Sequence, residues 1–142
     1  MFLRNQQTLN AEKMINKMEV HEALRRSQKL NTRLELIKKK PLNGQDTIIS
    51  LLIHDVFGGE ILKTHLNKGW HFYNRIDGER VDFSKSEKTK SIAKKSFDDL
   101  HAEPEETTNY FDKEDYSDFL MRFINEFEET VGLNKYKVST PI

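Results

Sequence analysis

The chain has 142 residues, 32% charged and 36% hydrophobic, with 23 basic and 23 acidic side chains and no cysteine. That length predicts one domain with a core of its own, and the missing cysteines exclude disulfides, thiolate metal sites and a cysteine nucleophile. No apolar run approaches the roughly 20 residues of a membrane-spanning helix, and "MFLRNQQTLNAEK" turns polar too early for a signal peptide, so a cytoplasmic protein without a membrane partner is expected.

The balanced charge is unevenly spread. Residues 1–50 carry ten basic and five acidic side chains, residues 51–100 nine and eight, and residues 101–142 four and ten. Such asymmetry marks a contact surface in some proteins and plain solvation in most. The basic clusters "LRRSQK" and "IKKKPLN" lack interleaved aromatics, which argues against nucleic acid as a partner.

In chain order, "NAEKMINKMEVHEALRRSQKL" predicts a helix with Asn10 as its N-cap. Its apolar residues split into two candidate faces, Met14/Ile15/Met18 and Val20/Ala23/Leu24. "TRLELIKKK" fits either a continued helix or an edge strand, and Pro41, Asn43 and Gly44 predict a loop. From Gln45 to Phe57, apolar residues point almost all round a helical wheel, the mark of a buried central helix that Gly58-Gly59 ends. "EILKTHL", "GWHFYNRI" and "ERVDFS", separated by "NKG" and "DG", predict a three-stranded antiparallel meander.

"KSEKTKSIAKKSF" reads as a surface helix or loop, and "DDLHAEPEETTN" as an acidic stretch broken by Pro104. Tyr116, Phe119, Leu120, Phe123, Ile124, Phe127 and Val131 then give a helix from about Lys113 to Val131, capped by Asp112. The expected fold is α+β: a buried central helix and an amphipathic C-terminal helix on a small antiparallel sheet of three to four strands. One domain, 1–142, comprises an N-terminal helical segment (1–40), the helix-plus-meander core (41–84) and a polar segment with the last helix (85–142).

The meander carries the candidate chemistry. Asp77-Gly78 is the sequence of a two-residue type I′ turn, which fixes the register so that Asn74 faces Val81 and Phe72 faces Phe83. Alternation then puts His71, Tyr73, Arg75, Arg80, Asp82 and Ser84 on one sheet face and Trp70, Phe72, Asn74 and Ile76 on the other. His71 and Asp82 become diagonal neighbours within side-chain reach. A carboxylate on one imidazole nitrogen orients the ring and leaves the second for a nucleophile. The same pair also serves as a satisfied structural contact. Arg75 and Arg80, facing each other near the turn, are expected to reach solvent. His54, on the central helix, is expected to be a satisfied core histidine, and Trp70 a core residue.

"PLNGQDTIISLLIHDVFGGEILKT" followed by "GWHFYNRIDGERVDFS" resembles the YunG-like family of small bacterial proteins. Members carry a "GQC" step into an apolar helix ending near "DxFGGEI", then a His-aromatic-aromatic-Asn strand, then "DFT" or "DLT". The likeness runs from Pro41 to Ser84; "ALRRSQKL" is similar to the family's upstream helix, with Gln28 where a tryptophan is expected beside Ser27. The order of cysteine helix, histidine strand and aspartate strand also resembles transglutaminase-like and papain-like cores.

The resemblance implies roles for His71 and Asp82 as the catalytic histidine and its carboxylate, Gln45 as an oxyanion-hole donor, and Asn74 as a binding residue; Tyr73, on the His71 face by alternation, is expected to line the cleft as a second binding residue. Asp46 stands at the nucleophile position, where a carboxylate is a far weaker acyl-transfer nucleophile than a thiolate and favours an imidazolium on His71. Asp46 also suits a helix N-cap. The expectation is a degenerate thiol-hydrolase-like protein, binding or regulatory, with a peptide, protein or small amide as ligand and no cofactor or metal. Two alternatives stand beside it. In one, Asp46, His71 and Asp82 form an active hydrolase or acyltransferase site, or hold a divalent metal. In the other, position 46 has been altered from a cysteine and the natural protein is a thiol enzyme.

Overall fold

The computed structural model describes residues 17–28, 43–67, 69–84 and 96–139, without the side chains of 43, 44 and 134–139. The readings placed on Asn10, Met14, Ile15, "TRLELIKKK", Pro41 and most of "KSEKTKSIAKKSF" lie outside those residues. The chain falls into two compact units, one drawn from residues 1–32 and 119–142 and the other from residues 33–118.

In the first unit, helix α1 (residues 17–28) buries Val20, Ala23, Leu24 and Ser27, while Met18 is 79% exposed. The Val20/Ala23/Leu24 face is thus the inner one. Ser27 turns its hydroxyl back to the Ala23 carbonyl at 2.6 Å, which lets a polar side chain sit in a buried place. The same unit holds the later part of the C-terminal helix, with Phe119 and Phe123 buried and Phe123 stacked on Phe127 at 5.6 Å.

The second unit is built around α2 (Asn43–Phe57), in which Ile48, Ile49, Leu51, Leu52 and Ile53 are buried together with Asp46, Thr47 and Ser50. Burial of each aliphatic side chain contributes about 1.5–3 kcal/mol. The helix starts two residues before Gln45, so Asn43 and Gly44 belong to it rather than to a loop. Gly58 ends it in the left-handed region (φ 83°), donating its N–H to the His54 carbonyl at 2.9 Å. Gly59 follows at φ 79°, where a Cβ would lie 2.3 Å from the Arg75 carbonyl oxygen.

Four antiparallel strands follow: β1 (Glu60–Leu66), β2 (Gly69–Ile76), β3 (Glu79–Val81) and β4 (Leu100–Ala102), in the order β3-β2-β1-β4. Period-two alternation sorts their side chains. Ile61, Phe72 and Ala102 join Leu51 of α2 in one cluster, with Trp70, Phe111 and Tyr116 against it, and Leu62, Tyr73 and Phe97 form another. Trp70 therefore does lie against core, on the face away from His71. β4 lies within the acidic stretch before Pro104, where three residues with one buried side chain give no legible period.

A short helix α3 (Pro104–Thr107) and a 3₁₀ turn (Thr108–Tyr110) lead to α4 (Lys113–Ser139), which starts where expected and runs eight residues past Val131. Glu106 folds back to accept the Glu103 N–H at 2.7 Å. The class is α+β, and among the described residues no helix is long and apolar enough to cross a membrane.

Candidate functional site

The β2–β3 hairpin has the register its turn demands. Asp77 and Gly78 both take positive φ (52° and 78°), and Ile76 pairs with Glu79, Arg75 with Arg80 and Asn74 with Val81. In a two-residue hairpin, hydrogen-bonded pairs alternate, so after Asn74/Val81 the next is Phe72/Phe83. That pair is missing: β3 stops at Val81, and the Phe72 N–H donates to Asp46 Oδ2 at 2.7 Å. A side chain from the first turn of α2 has taken the place of a strand carbonyl.

The same oxygen lies 3.3 Å from His71 Nδ1, an ion-pair contact off the line of a good hydrogen bond. On the other side of the ring, Nε2 is 2.7 Å from Asp82 Oδ2. Asp82 is held by Ser84, whose N–H and hydroxyl donate to Oδ1 at 3.1 and 2.7 Å. The side chains of His71 and Asp46 are fully buried and that of Asp82 is 8% exposed. The three side chains are therefore enclosed rather than lining an open cleft. Asp46 also stands inside the first turn of its helix rather than ahead of it as an N-cap, because the helix already begins at Asn43.

Burial works against a charge on His71, but the contacts and attraction of Asp46 and Asp82 outweigh it and push the imidazole up to about 9. Burial likewise opposes ionisation of Asp82, and the His71 ring overcomes it, holding that carboxyl below its usual value. At neutral pH the arrangement is an imidazolium hydrogen-bonded to the Asp82 carboxylate and in contact with Asp46. Such a ring has no lone pair to accept a proton, so it cannot act as a general base.

Tyr73 stacks on His71 with ring centroids 5.8 Å apart, and Phe97 meets it edge-on at 5.8 Å. The Tyr73 hydroxyl donates to Asp99 Oδ1 at 2.7 Å and accepts the Asp99 N–H at 2.9 Å. Arg80 Nε reaches Asp99 Oδ1 at 2.8 Å, with its guanidinium over the Phe97 and Tyr73 rings. Arg80 is thus turned inward, contrary to the expectation that it reaches solvent, and Arg75 lies 3.6 Å from Glu60. Asp98 accepts the Thr64 hydroxyl and the His65 N–H, both at 3.2 Å. Phe97, Asp98 and Asp99 were missed because their partners lie 17 to 34 residues away along the chain; the only local hint was the doubled acid before "LHA".

Of the residues singled out, Asp46, His71, Asp82 and Tyr73 come together. Gln45 precedes Asp46 with its Nε2 buried and without a hydrogen-bond partner among the described residues. Asn74 does not join them: it faces the other side, donating to the Ser50 carbonyl at 3.0 Å and tying β2 to α2. His54 is bonded as expected, Nδ1 lying 3.0 Å from the Gly59 carbonyl, but it is half-buried rather than in the core. Because the two carboxylates approach opposite nitrogens of one ring, they cannot converge with it on a single ion. Among the described residues no cluster suited to a metal is found.

Comparison with known proteins bears on this arrangement. The family model described as "YunG protein" matches residues 16–128, most of the chain and all of the triad. The "Uncharacterized protein YunG" of Bacillus subtilis (strain 168) is 48% identical over 44 residues, which is 31% of this chain and 38% of that relative. No solved structure matches. The chain belongs to the YunG family.

Proposed function

We propose that this chain is a non-catalytic member of a thiol-hydrolase-like design, serving as a binding or regulatory protein in the cytoplasm for a peptide, protein or small amide. The observation that carries the reading is the fully buried His71 held between Asp46 at 3.3 Å and Asp82 at 2.7 Å. The chain order of nucleophile-position helix, histidine strand and an aspartate one residue past the next strand resembles that of transglutaminase-like and papain-like cores, which supports the comparison. Gln45, with a buried amide donor next to position 46, fits the donor role beside a nucleophile. What is missing is the nucleophile, and with it a neutral imidazole to activate one.

The test is incubation of the purified protein with peptide, amide and ester libraries at neutral pH, with His71→Ala as the control. No turnover is expected from either protein. Hydrolysis by the wild type that disappears in the His71 variant would overturn the reading and return the chain to the enzymes.

A further inference from the structure

We infer that the groups around position 46 form a binding site for one carboxylate, and that Asp46 is its tethered occupant. This deepens the reading above, which it rests on, by naming what fills the site in place of a reacting group. A hydrogen bond and an ion-pair contact from β2 meet at a single oxygen: the Phe72 N–H donates to Asp46 Oδ2 at 2.7 Å, and His71 Nδ1 lies 3.3 Å from the same atom. Neither contact is incidental. The Phe72 N–H has been withdrawn from the hairpin, whose ladder ends at Asn74/Val81, one hydrogen-bonded pair short of Phe72/Phe83. His71 is fully buried, and Asp82 on Nε2 fixes its ring so that Nδ1 faces position 46. The occupant enters from the first turn of a 15-residue helix, where the unpaired N–H groups favour negative charge.

A carboxylate that only stabilised the helix start would have no need to interrupt a strand ladder. Here the sheet gives up a backbone hydrogen bond and receives an anionic acceptor in exchange. The tether holds that acceptor at high effective concentration, so free acids are excluded from the site in the native chain.

The inference predicts which ligand each shortened side chain admits. Asp46→Ala keeps the Cβ and lacks the carboxylate, a gap the size of formate. Asp46→Gly lacks the methylene as well, a gap the size of acetate. Thermal unfolding is followed in rising formate or acetate against potassium chloride at equal ionic strength. Asp46→Ala should gain a saturable rise of several degrees in Tm with formate, and Asp46→Gly a larger one with acetate than with formate. The wild type and Asp46→Asn, whose site stays filled, should follow the chloride curve.

Equal responses in all four proteins, or none beyond chloride in the two shortened ones, would overturn the inference. If a shortened variant does not fold in chloride, refolding is read instead. Recovery in its matching acid supports the site, and failure to recover in that acid counts against it. The result is separable from the turnover test: formate rescue reports on the anion site whether or not the wild type hydrolyses a substrate.

Discussion

Both ring nitrogens of His71 face carboxylates, at 3.3 Å and 2.7 Å, in a place the solvent does not reach. An ion pair so enclosed is held at a heavy desolvation cost, and it remains favourable only while every member is present. Removing one carboxylate leaves the ring with one partner fewer and, on the Asp82 side, two Ser84 donors without an acceptor. Asp82→Ala should therefore cost about 3–5 kcal/mol in urea unfolding, whereas Glu128→Ala, on the exposed face of α4, should stay within about 0.5 kcal/mol. Comparable small losses in both would mean that the buried pair contributes little. At this scale the sequence was informative about identity and silent about enclosure. Alternation and the turn were enough to bring His71 and Asp82 together. Nothing in the local pattern revealed that Asp46 would reach across to the Phe72 N–H, or that Asp98 and Asp99 would clamp β1 and Tyr73 from the far end of a long connection.

Elements with a strong period or a stereotyped turn were readable: the central helix, the meander, its Asp-Gly hairpin and the C-terminal helix. β4 was not, because its place depends on pairing with β1 and on the two acids before it rather than on its own side chains. The length of β3 was misjudged for a related reason, since a helix side chain competes for the strand's hydrogen bond. The α2–β1 junction is the tightest of these connections. Gly59 combines a positive φ with backbone approach so close that a Cβ would meet the Arg75 carbonyl at 2.3 Å. Gly58 has a similar φ and open space around it. Gly58→Ala should cost about 1 kcal/mol from the left-handed conformation alone. Gly59→Ala should cost at least about 1 kcal/mol more, since β2 itself must shift. Equal losses in thermal or urea unfolding would contradict that difference.

For the whole molecule, His71 sets a direction for stability against pH. Its value rises from 6.5 in the unfolded chain to about 9 in the native one, so the native state binds the extra proton between those limits. The contribution is complete below about pH 6.5 and is lost as pH rises through about 9, on the order of 3 kcal/mol. Asp82 reports the same interaction from the acid side: its carboxyl is held down, so its share is present above its unfolded value of 3.8 and is lost as pH falls through the lower native one. Urea unfolding at pH 6 and pH 9.5 should show the loss, and Asp46→Asn should flatten it. The division into two compact units was not legible in composition, which shows neither a linker nor a break. The sequence likeness noted over Pro41 to Ser84 covers the helix and hairpin that build the triad, while the family model extends to residues 16–128. The account turns on the charge of one ring. Nitrogen-15 NMR of His71 across pH 5 to 10 measures it directly: both ring nitrogens should carry protons at pH 7.5, with a midpoint near 9. A neutral ring at pH 7.5, titrating at or below about 7, would contradict it.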